Sequence, residues 1–532
     1  MSGASGSSRG ARRAVYLDYA ATSPVDPRVA QAMSECLTLD GAFGNPSSAH
    51  VFGREARARV EQARERIAAL VGASPAEIVL TSGATESNNL ALFGAARANA
   101  DRGRHVVTSR IEHRAVLDPC RRLEKEGFSV TYVSPDASGR VDPRAIEAAL
   151  RPDTVLVSVM HVNNETGVVQ DIAAIGALCR ERDILFHSDA AQSAGRIPID
   201  CRALPVDFLS FTAHKLCGPK GIGALYVRKE CRARLQPVSF GGGQEAGLRS
   251  GTLATHQIVG FGLACELARE ALATEPARLE ALRERLWKGL EPLGGVHLNG
   301  AASPRVPAIL NVSFEGVEGE SLLAAIEGVA VSRGSACNSA SGEPSYVLRA
   351  LGRSSALAGS SLRFSLGRFT TQDDVDFAVE RVRAAVQRLR AVASGDPVDV
   401  SADPGEGPPA ELYGPAVRRL FQELPGAGRL AGSGGDLIEG EARDAHQDVA
   451  VRFQLQVRGT TVKDARFQAR GCPHTLAACA WLTSQLPGRT REALIPGTPE
   501  EWARALEVPV EKLGRLLVVE DALRAAAERW VA

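Results

Sequence analysis

The segment around Lys215 has residue types that could hold a carbonyl compound and an anion. The stretch SFTAHKLCGPKG places Lys215 just after the apolar run 208–211, which is typical of a buried strand. A lysine at the end of a strand can form a Schiff base with an aldehyde cofactor when its surroundings favour the neutral amine. Thr212 and His214 beside it offer donors to a phosphate. Lysines in such positions are more often surface charges, so this segment alone does not decide the chemistry.

A carboxylate follows another predicted strand. Asp189 comes after the apolar residues 184–186 in the stretch FHSDAAQSAG, and Gln192 lies three residues further on. A buried carboxylate can pair with the protonated ring nitrogen of pyridoxal phosphate (PLP), which keeps PLP an effective electron sink. Gln192 is then placed to reach the phenolic oxygen of the ring. The alternative for Asp189 is a helix N-cap, which needs no ligand.

Small residues at a predicted helix start form a third feature. The stretch SGATE, residues 82–86, lies between an apolar run and a helical pattern. Backbone N–H groups and the positive end of the helix dipole make such a turn a good seat for phosphate. His113 and Asn164 also follow predicted strands in this half of the chain. Glycine-containing turns and isolated histidines are common in structural roles, so each of these signals is weak by itself.

Cys337 is the fourth feature. It lies in VSRGSACNSASGEPSY, where residues 332–342 are almost all small and polar and precede a predicted helix at 344–352. A cysteine in an exposed, flexible loop suits a nucleophile that must reach a cofactor and then present its product elsewhere. The alternative is an incidental loop cysteine.

The alternation of apolar runs and helical periodicity explains how these residues could meet. Between about residues 75 and 230 it predicts an α/β domain with a largely parallel sheet. The predicted strands are residues 78–81, 105–108, 155–160, 184–186, 208–211 and 224–227. Because ligands of open α/β sheets collect beyond the carboxyl ends of the strands, the polar residues that follow these runs should face one site.

A smaller α+β unit is predicted to follow. A helical stretch at 256–290 is interrupted near Pro276, and the runs 308–314 and 361–366 have the composition of strands. An amphipathic helix at 373–392 closes this unit, with acids in its first turn that suit a helix N-terminus.

Composition bounds the remaining possibilities. The chain has 532 residues, and its 62 Lys and Arg balance its 62 Asp and Glu, so overall charge does not suggest nucleic acid or an anionic membrane as a partner. No apolar run approaches the ~18 residues that cross a bilayer. Ten cysteines without a CxxC pair predict reduced thiols and a cytoplasmic protein. Residues 394–410 are rich in Pro, Gly and Asp and predict a linker.

Taken together, these features resemble a known family over about residues 15–392: the cysteine desulfurases of the iron–sulfur cluster assembly type, within the class-V aminotransferases. The matching stretches are YLDYAATSPVDPRV, FGNPSSAHVFG, VLTSGATESNNLA, HVNNETGVVQDIAAIG, HSDAAQSAGRIPID, FTAHKLCGPKGIGALYVR, LRSGTLATHQIVG, VSRGSACNSAS and SSLRFSLGRFTT. So many collinear motifs make the resemblance specific. It implies a fold-type I PLP-dependent transferase, with a large α/β domain and a small α+β domain, acting as a homodimer.

The resemblance also implies a role for each matching residue. Lys215 would carry PLP, Cys337 would take sulfur from L-cysteine as a persulfide, and His113 would stack on the ring and shuttle protons. The implied phosphate contacts are Ala84, Thr85, Thr212 and His214. Asn164 and Gln192 would contact the cofactor's oxygen and Asp189 its ring nitrogen, while Thr252 would reach the cofactor of the partner subunit. Arg363 would hold the substrate carboxylate. Arg333 departs from the family, which usually has a small residue there.

The C-terminal region resembles, less strongly, the scaffold proteins on which iron–sulfur clusters are built, as in NifU N-terminal domains. The matching stretches are VRFQLQVRGTTVKDARFQARGC, GRTREAL and EKLGRLLVVEDALRAAAERW. Such scaffolds hold a cluster with three cysteines and an aspartate. Here Cys472 stands in place, His446 and Asp448 lie near another ligand position, and Arg515 or a neighbour replaces the third.

Three roles for this region stay open. Arginine does not bind metal at neutral pH, and clusters require thiolates, so a degenerate docking domain is one interpretation. In the second, Cys472 accepts sulfur from Cys337; the third is cluster assembly, with Cys479, seven residues on, as a further thiol. The predicted organisation is a tail at 1–13, the desulfurase at 14–393, a linker at 394–411 and the scaffold-like domain at 412–532.

Two other functions remain possible on sequence grounds. Another fold-type I enzyme, such as a selenocysteine lyase or an aminotransferase, would share Lys215 and Asp189 but would not need Cys337. A non-catalytic assembly platform would need none of them.

Overall fold

The structure is a computed structural model that describes residues 14–334, 343–397, 408–431 and 436–530. The predictions for Cys337, for the tail at 1–13 and for most of the linker concern residues outside these ranges. The strands are β1 (Val15–Tyr16), β2 (Ile78–Thr81), β3 (His105–Ser109), β4 (Ser129–Val133), β5 (Thr154–Ser158), β6 (Leu185–Asp189), β7 (Phe208–Thr212), β8 (Gly223–Val227), β9 (Val296–Leu298), β10 (Ile309–Phe314), β11 (Val329–Ala330), β12 (Ser361–Ser365), β13 (Leu437–Asp444), β14 (Val449–Arg458) and β15 (Thr461–Arg470). The helices are α1 (Pro27–Ser34), α2 (Val51–Leu70), α3 (Ala84–Ala98), α4 (Arg114–Lys125), α5 (Pro143–Ala149), α6 (Ile172–Glu181), α7 (Thr255–Ala271), α8 (Glu275–Leu290), α9 (Gly319–Ala325), α10 (Tyr346–Ala350), α11 (Ser355–Gly359), α12 (Gln372–Ser394), α13 (Pro415–Glu423), α14 (Pro473–Thr483), α15 (Pro499–Ala505) and α16 (Leu513–Arg529).

A seven-stranded mixed sheet is the centre of the large domain. Its strand order is β2-β8-β7-β6-β5-β3-β4. The neighbours from β7 to β4 run parallel, whereas β8 is antiparallel to both β7 and β2. The sequence analysis missed β4, the strand predicted at 155–160 ends at Ser158, and the strand predicted at 184–186 continues to Asp189. The parallel strands bring their carboxyl ends to one edge, where the predicted site residues follow.

The small domain forms around the sheet β12-β10-β9. Helices α8 and α12 pack together beside it, and Leu286, Leu310 and Val382 lie in one apolar core. The interruption of the long helical stretch falls between α7 and α8. Pro276 lies within the first turn of α8 rather than in the break. Proline is tolerated there because the N–H groups of the first turn form no hydrogen bond within the helix.

The C-terminal region consists of an antiparallel sheet, β13-β14-β15, covered by helices. Strand β14 alternates buried apolar residues with more exposed polar ones, the period of a sheet with one face in a core. Phe453 of β14 lies opposite Phe467 of β15. Leu389 of α12 belongs to the same core as these phenylalanines, so the region packs directly on the small domain.

No helix within the described ranges is long and apolar enough to cross a bilayer.

Candidate active site

A cavity of about 450 Å³ opens at the carboxyl edge of the parallel strands. Ten of the twelve predicted site residues line it. They are Ala84, Thr85, His113, Asn164, Asp189, Gln192, Thr212, His214, Lys215 and Arg363. Asp189 ends β6 and Thr212 ends β7, whereas Ala84 and Thr85 begin α3. Of the other two residues, Thr252 is exposed and does not line this cavity, and Cys337 lies outside the described residues.

Lys215 lies on a short turn directly after β7. Its Nζ donates hydrogen bonds to the carbonyl oxygens of Ala20 and Ala21, both at 2.5 Å. The neighbouring His214 pairs through Nδ1 with Thr22 Oγ1 at 3.1 Å. Burial, reinforced by the charge of Lys215, lowers the pKa of His214 to about 4, so this imidazole is neutral near pH 7.

Asp189 is a buried carboxylate held on both oxygens. Its Oδ2 accepts a hydrogen bond from Asn88 Nδ2 at 2.7 Å, and its Oδ1 accepts from the backbone N–H of Ala191 at 2.9 Å. Asn88 lies one helical turn after Ala84, on the face of α3 that looks into the cavity. These contacts fix the carboxylate at the cavity wall, where it can accept a further hydrogen bond from a cationic ring nitrogen.

The start of α3 provides room for an anion. Gly83 caps the helix without a side chain and has a φ of 155°, a conformation that favours glycine. A Cβ atom built there would lie 3.9 Å from Thr212 Oγ1, in the space between α3 and β7. The first N–H groups of the helix therefore face an open position. The hydroxyl of Thr212 itself donates to the carbonyl of Ile222 at 3.1 Å.

Two amide side chains differ in how they are used. Asn164 Oδ1 is buried and has no hydrogen-bond partner among the described residues. Gln192 donates from Nε2 to the carbonyl of Ala20 at 2.9 Å and accepts at Oε1 from Arg196 at 2.6 Å. The amide of Gln192 is thus engaged with protein at both ends, whereas Asn164 still has an acceptor to offer.

Arg363 reaches the cavity from β12 of the small domain and is only 2% exposed. Its Nη1 donates to the carbonyl of Asn164 at 2.9 Å, and its Nη2 donates to Asp18 Oδ1 at 2.8 Å. Its Nε is buried without a hydrogen-bond partner among the described residues. A buried guanidinium with a donor to spare suits a small carboxylate.

His113 caps α4, and its Nδ1 accepts a hydrogen bond from the N–H of Ala115 at 3.1 Å. Glu112 beside it is fully buried, accepting from Ser109 Oγ at 2.5 Å and from the N–H of Met160 at 3.0 Å. Burial raises the pKa of Glu112 to about 8. The sequence analysis did not identify Glu112, although a carboxylate between an apolar run and His113 is an unusual pattern.

The donor set fits PLP on three independent grounds. A lysine amine is present for the aldehyde, a fixed carboxylate for the ring nitrogen, and a glycine-capped helix start beside a neutral histidine for the phosphate. The unpartnered Asn164 oxygen and Arg363 Nε add unused hydrogen-bonding capacity on the opposite wall.

Comparison with known proteins agrees with this geometry. Residues 15–377 match the model of the aminotransferase class-V family, which spans both domains of the site. The chain belongs to the aminotransferase class-V family. Cysteine desulfurase IscS of Enterobacter sp. (strain 638) is 59% identical over 377 residues, which cover 71% of this chain and 93% of that protein. Cysteine desulfurase IscS of Escherichia coli O139:H28 has the same identity and coverage.

Solved structures of similar fold lead to the same group of class-V enzymes. A structure titled "NIFS-LIKE PROTEIN" is 38% identical, with a TM-score of 0.66, and covers 70% of this chain and 99% of its own. A second, titled "SspA in complex with cysteine", is 41% identical with a TM-score of 0.60 and covers 67% and 99%. Class-V aminotransferases and cysteine desulfurases depend on PLP, and so does this chain.

Residues 432–532 match the NifU-like N terminal domain. Cys472 caps α14 and is fully buried, with the positively charged Arg515 close to it. Asp448 pairs with Arg470 at 2.9 Å, and His446 is exposed. Burial raises the pKa of Cys479, which is fully buried inside α14.

These donors do not fit an iron–sulfur cluster. Among the residues that the structure describes, no group of three or more His, Cys, Asp and Glu could hold a metal ion. Arg515 brings a positive charge to the one candidate thiolate position, and Asp448 is already paired. The NifU-like domain of this class-V enzyme therefore presents one cysteine beside a cation rather than a set of ligands.

Proposed function

We propose that this class-V enzyme is a PLP-dependent cysteine desulfurase that converts L-cysteine to L-alanine and supplies the sulfur to iron–sulfur cluster assembly. The observation that carries this proposal is the convergence of Lys215, Asp189 and Arg363 on one cavity, in a chain that is 59% identical to cysteine desulfurases. The three residues come from different parts of the chain. Lys215 would face the aldehyde of PLP, Asp189 its ring nitrogen, and Arg363 the carboxylate of the bound amino acid.

The cofactor would be held by the residues that line the cavity. Lys215 would bind it covalently, Asp189 would keep its ring nitrogen protonated, and Ala84, Thr85, Thr212 and His214 would surround its phosphate. The side-chain amides of Asn164 and Gln192 would contact the cofactor's phenolic oxygen, and Arg196 would hold the amide of Gln192 in place. PLP supplies an electron sink that weakens the bonds around the amino acid's Cα.

The remaining residues act on the substrate. Arg363 binds the carboxylate, and the amine of Lys215 and the ring of His113 accept and return protons at Cα and Cβ. Cys337, as a thiolate, forms an S–S bond to the substrate sulfur while the C–S bond breaks, and protonation of the carbon left behind gives alanine. Sulfur leaves the site as a persulfide on Cys337.

The products distinguish this reaction from a transamination. The purified holoenzyme with L-cysteine and a reducing thiol should release alanine and sulfide in equal amounts. An aminotransferase would instead produce a keto acid and consume an amino acceptor. Alanine measured by amino-acid analysis and sulfide measured by methylene blue formation decide between them. Keto acid without sulfide would contradict the proposed function.

We further propose that the NifU-like domain accepts the sulfur through Cys472. Ser321 of the small domain donates a hydrogen bond to the carbonyl of Gly471 at 2.7 Å, so the residue next to Cys472 contacts α9. Lys512 Nζ lies 2.6 Å from Glu320 Oε1, and Arg333 Nη1 lies 3.8 Å from the same oxygen. Both Cys472 and the residues leading to Cys337 therefore border one interface between the domains.

The chain length is sufficient for this transfer. Cys337 is four residues after Arg333, so their Cα atoms are at most ~14 Å apart. Attack of the Cys472 thiolate on the outer sulfur of the Cys337 persulfide moves one sulfur atom and returns Cys337 to a thiol. No oxidant or reductant is consumed. A thiol tethered within one chain also competes well with dilute acceptors in solution.

Label on Cys472 should depend on Cys337. After a short incubation with L-cysteine, persulfides trapped by alkylation and located by mass spectrometry should appear on both cysteines in the wild type and on neither in Cys337→Ser. Cys472→Ser should retain the label on Cys337, and Cys479→Ser, which removes a buried thiol of the same domain, should leave both. Label confined to Cys337 would contradict the transfer and leave a docking role for the domain.

We also propose a homodimer and a cytoplasmic location. Leu37, Leu39, Phe43, Phe52 and Phe240 are large apolar side chains exposed on the described surface, and Phe43 and Phe52 are in ring contact at 5.2 Å. A second copy that covers Phe43 and Phe52 would bury their rings, and Thr252, exposed here, would then reach the partner's cofactor. All nine cysteines within the described ranges are free, which suits a reducing compartment.

A further inference from the structure

The short N-terminal segment 18–22 contacts both domains at the cavity. The carbonyl oxygens of Ala20 and Ala21 hold Lys215 Nζ, and Thr22 pairs with His214. On the other side, Asp18 pairs with Arg363 of the small domain. One stretch of chain therefore links the lysine of the large domain to the arginine of the small one.

The contact between Asp18 and Arg363 is fixed by the backbone. Asp18 forms a parallel bridge with Ser365, two residues beyond Arg363 on β12. Ser365 donates from its N–H to the carbonyl of Leu17 at 2.7 Å, and its Oγ accepts from the N–H of Ala20 at 2.8 Å. Because the backbone on both sides of Asp18 is bound to this strand, its Cα is held next to β12, and from there its carboxylate reaches the guanidinium of Arg363.

Arg363 has few other partners to hold it. Besides Asp18, the described residues offer its terminal nitrogens the carbonyl of Asn164, and its Nε is unpartnered and buried. A buried arginine needs a counter-charge, and its long side chain needs fixed acceptors to stay in one orientation. Asp18 provides both, while it leaves Nε and the second hydrogens of the terminal nitrogens for an incoming carboxylate.

We infer that Asp18 is a positioning residue that orients Arg363 and so determines the selectivity of the enzyme for substrates with an α-carboxylate. This inference rests on the proposed role of Arg363 in the desulfurase reaction. Asp18 does not touch the reacting atoms. It acts through the arginine, and its loss should weaken the binding of carboxylate-bearing ligands only.

Asp18→Ala should raise the KM for L-cysteine by ~10- to 100-fold, the range expected when a hydrogen bond to a charged group is lost. Its kcat should change less. The inhibition constant of cysteamine, which has the same thiol and amine but no carboxylate, should stay within about twofold of the wild type. Asp18→Asn keeps an acceptor oxygen at the same position and should recover part of the lost affinity.

Asp26→Ala is the matched control. Asp26 is a buried aspartate of the same N-terminal region, and it pairs with Arg368 at 3.1 Å outside the cavity. This variant should lose stability without a change in the KM for cysteine. An Asp18→Ala enzyme with an unchanged KM, or with cysteine and cysteamine weakened equally, would overturn the inference. If the wild type releases no alanine from cysteine, the proposed function fails instead, and the two failures are thereby distinguished.

Discussion

Lys215→Ala should abolish alanine release from L-cysteine, a loss of at least ~10⁴-fold, or ~5 kcal/mol of barrier. The amine has two functions in the proposed site, because it holds the cofactor covalently and then moves a proton. The residues proposed to hold the phosphate and the ring nitrogen of PLP remain intact in this variant, so PLP should still bind, but reversibly. Asp189, held by Asn88 and the N–H of Ala191, does not depend on Lys215 for its position.

The lysine that holds PLP can be identified by trapping the covalent bond between them. Borohydride treatment of the wild type, followed by peptide mass spectrometry, should place the cofactor on the peptide that contains Lys215. Lys220→Ala is the control, because Lys220 lines the same cavity but lies on the turn before β8. That variant should keep the label on Lys215. Label on any other lysine in the wild type would show that the site has been assigned to the wrong residue.

The position of the cavity could be predicted from sequence because the residues at strand ends carry a local signal. Thr212 directly follows the apolar run 208–211, and Asp189 lies three residues after the run 184–186. Parallel pairing of β6 with β7, in which Asp189 lies opposite Ser210, brings both residues to the same edge of the sheet. Because parallel strands place their carboxyl ends at one edge of the sheet, polar residues that are far apart in sequence lie close together there. Strand β8 shows the limit of this logic: its apolar run resembles the others, but it pairs antiparallel to β7, and its direction depends on how the chain returns after Lys215.

Contacts made by main-chain atoms were not visible in sequence. Ala20 and Ala21 hold Lys215 through carbonyl oxygens, which every residue has, and they precede it by almost 200 positions. The sequence did not mark Arg196 either. Its Nη1 donates to Gln192 Oε1 at 2.6 Å, so the side-chain amide of Gln192 is held by the protein. Such contacts require the assembled fold, because neither residue type nor spacing marks them.

The NifU-like domain illustrates a different limit. Sequence showed that Arg515 stands near a ligand position, but not that its guanidinium would lie between Cys472 and the acidic start of α9. In the structure Arg515 Nη1 lies 3.6 Å from Glu318 Oε1, and the same side chain lies close to Cys472. The arginine that stands near this predicted ligand position therefore also links the NifU-like domain to the small domain.

Cys337→Ser should bind PLP and L-cysteine normally and yet release alanine at least ~1,000-fold more slowly, a cost of ~4 kcal/mol. A hydroxyl cannot accept sulfur to form a persulfide, so the C–S bond has no nucleophile to break it. The residues proposed to hold the cofactor and the substrate carboxylate lie elsewhere, on β6, β7, α3 and β12, and this replacement does not alter them. KM for cysteine, or its binding constant in a direct titration, should therefore stay within a few-fold of the wild type while kcat falls.

This split separates a desulfurase from the other fold-type I enzymes that share the cavity. An aminotransferase uses Lys215, Asp189 and Arg363 but no cysteine, so its rate would be indifferent to Cys337→Ser. Cys36→Ser, which removes a thiol outside the cavity, should leave both constants unchanged and controls for general effects of the replacement. If Cys337→Ser released alanine at the wild-type rate, sulfur would have to leave the substrate by a route that does not pass through this cysteine. The proposed transfer to Cys472 would then lose its donor, because each step after the cavity depends on a persulfide at Cys337.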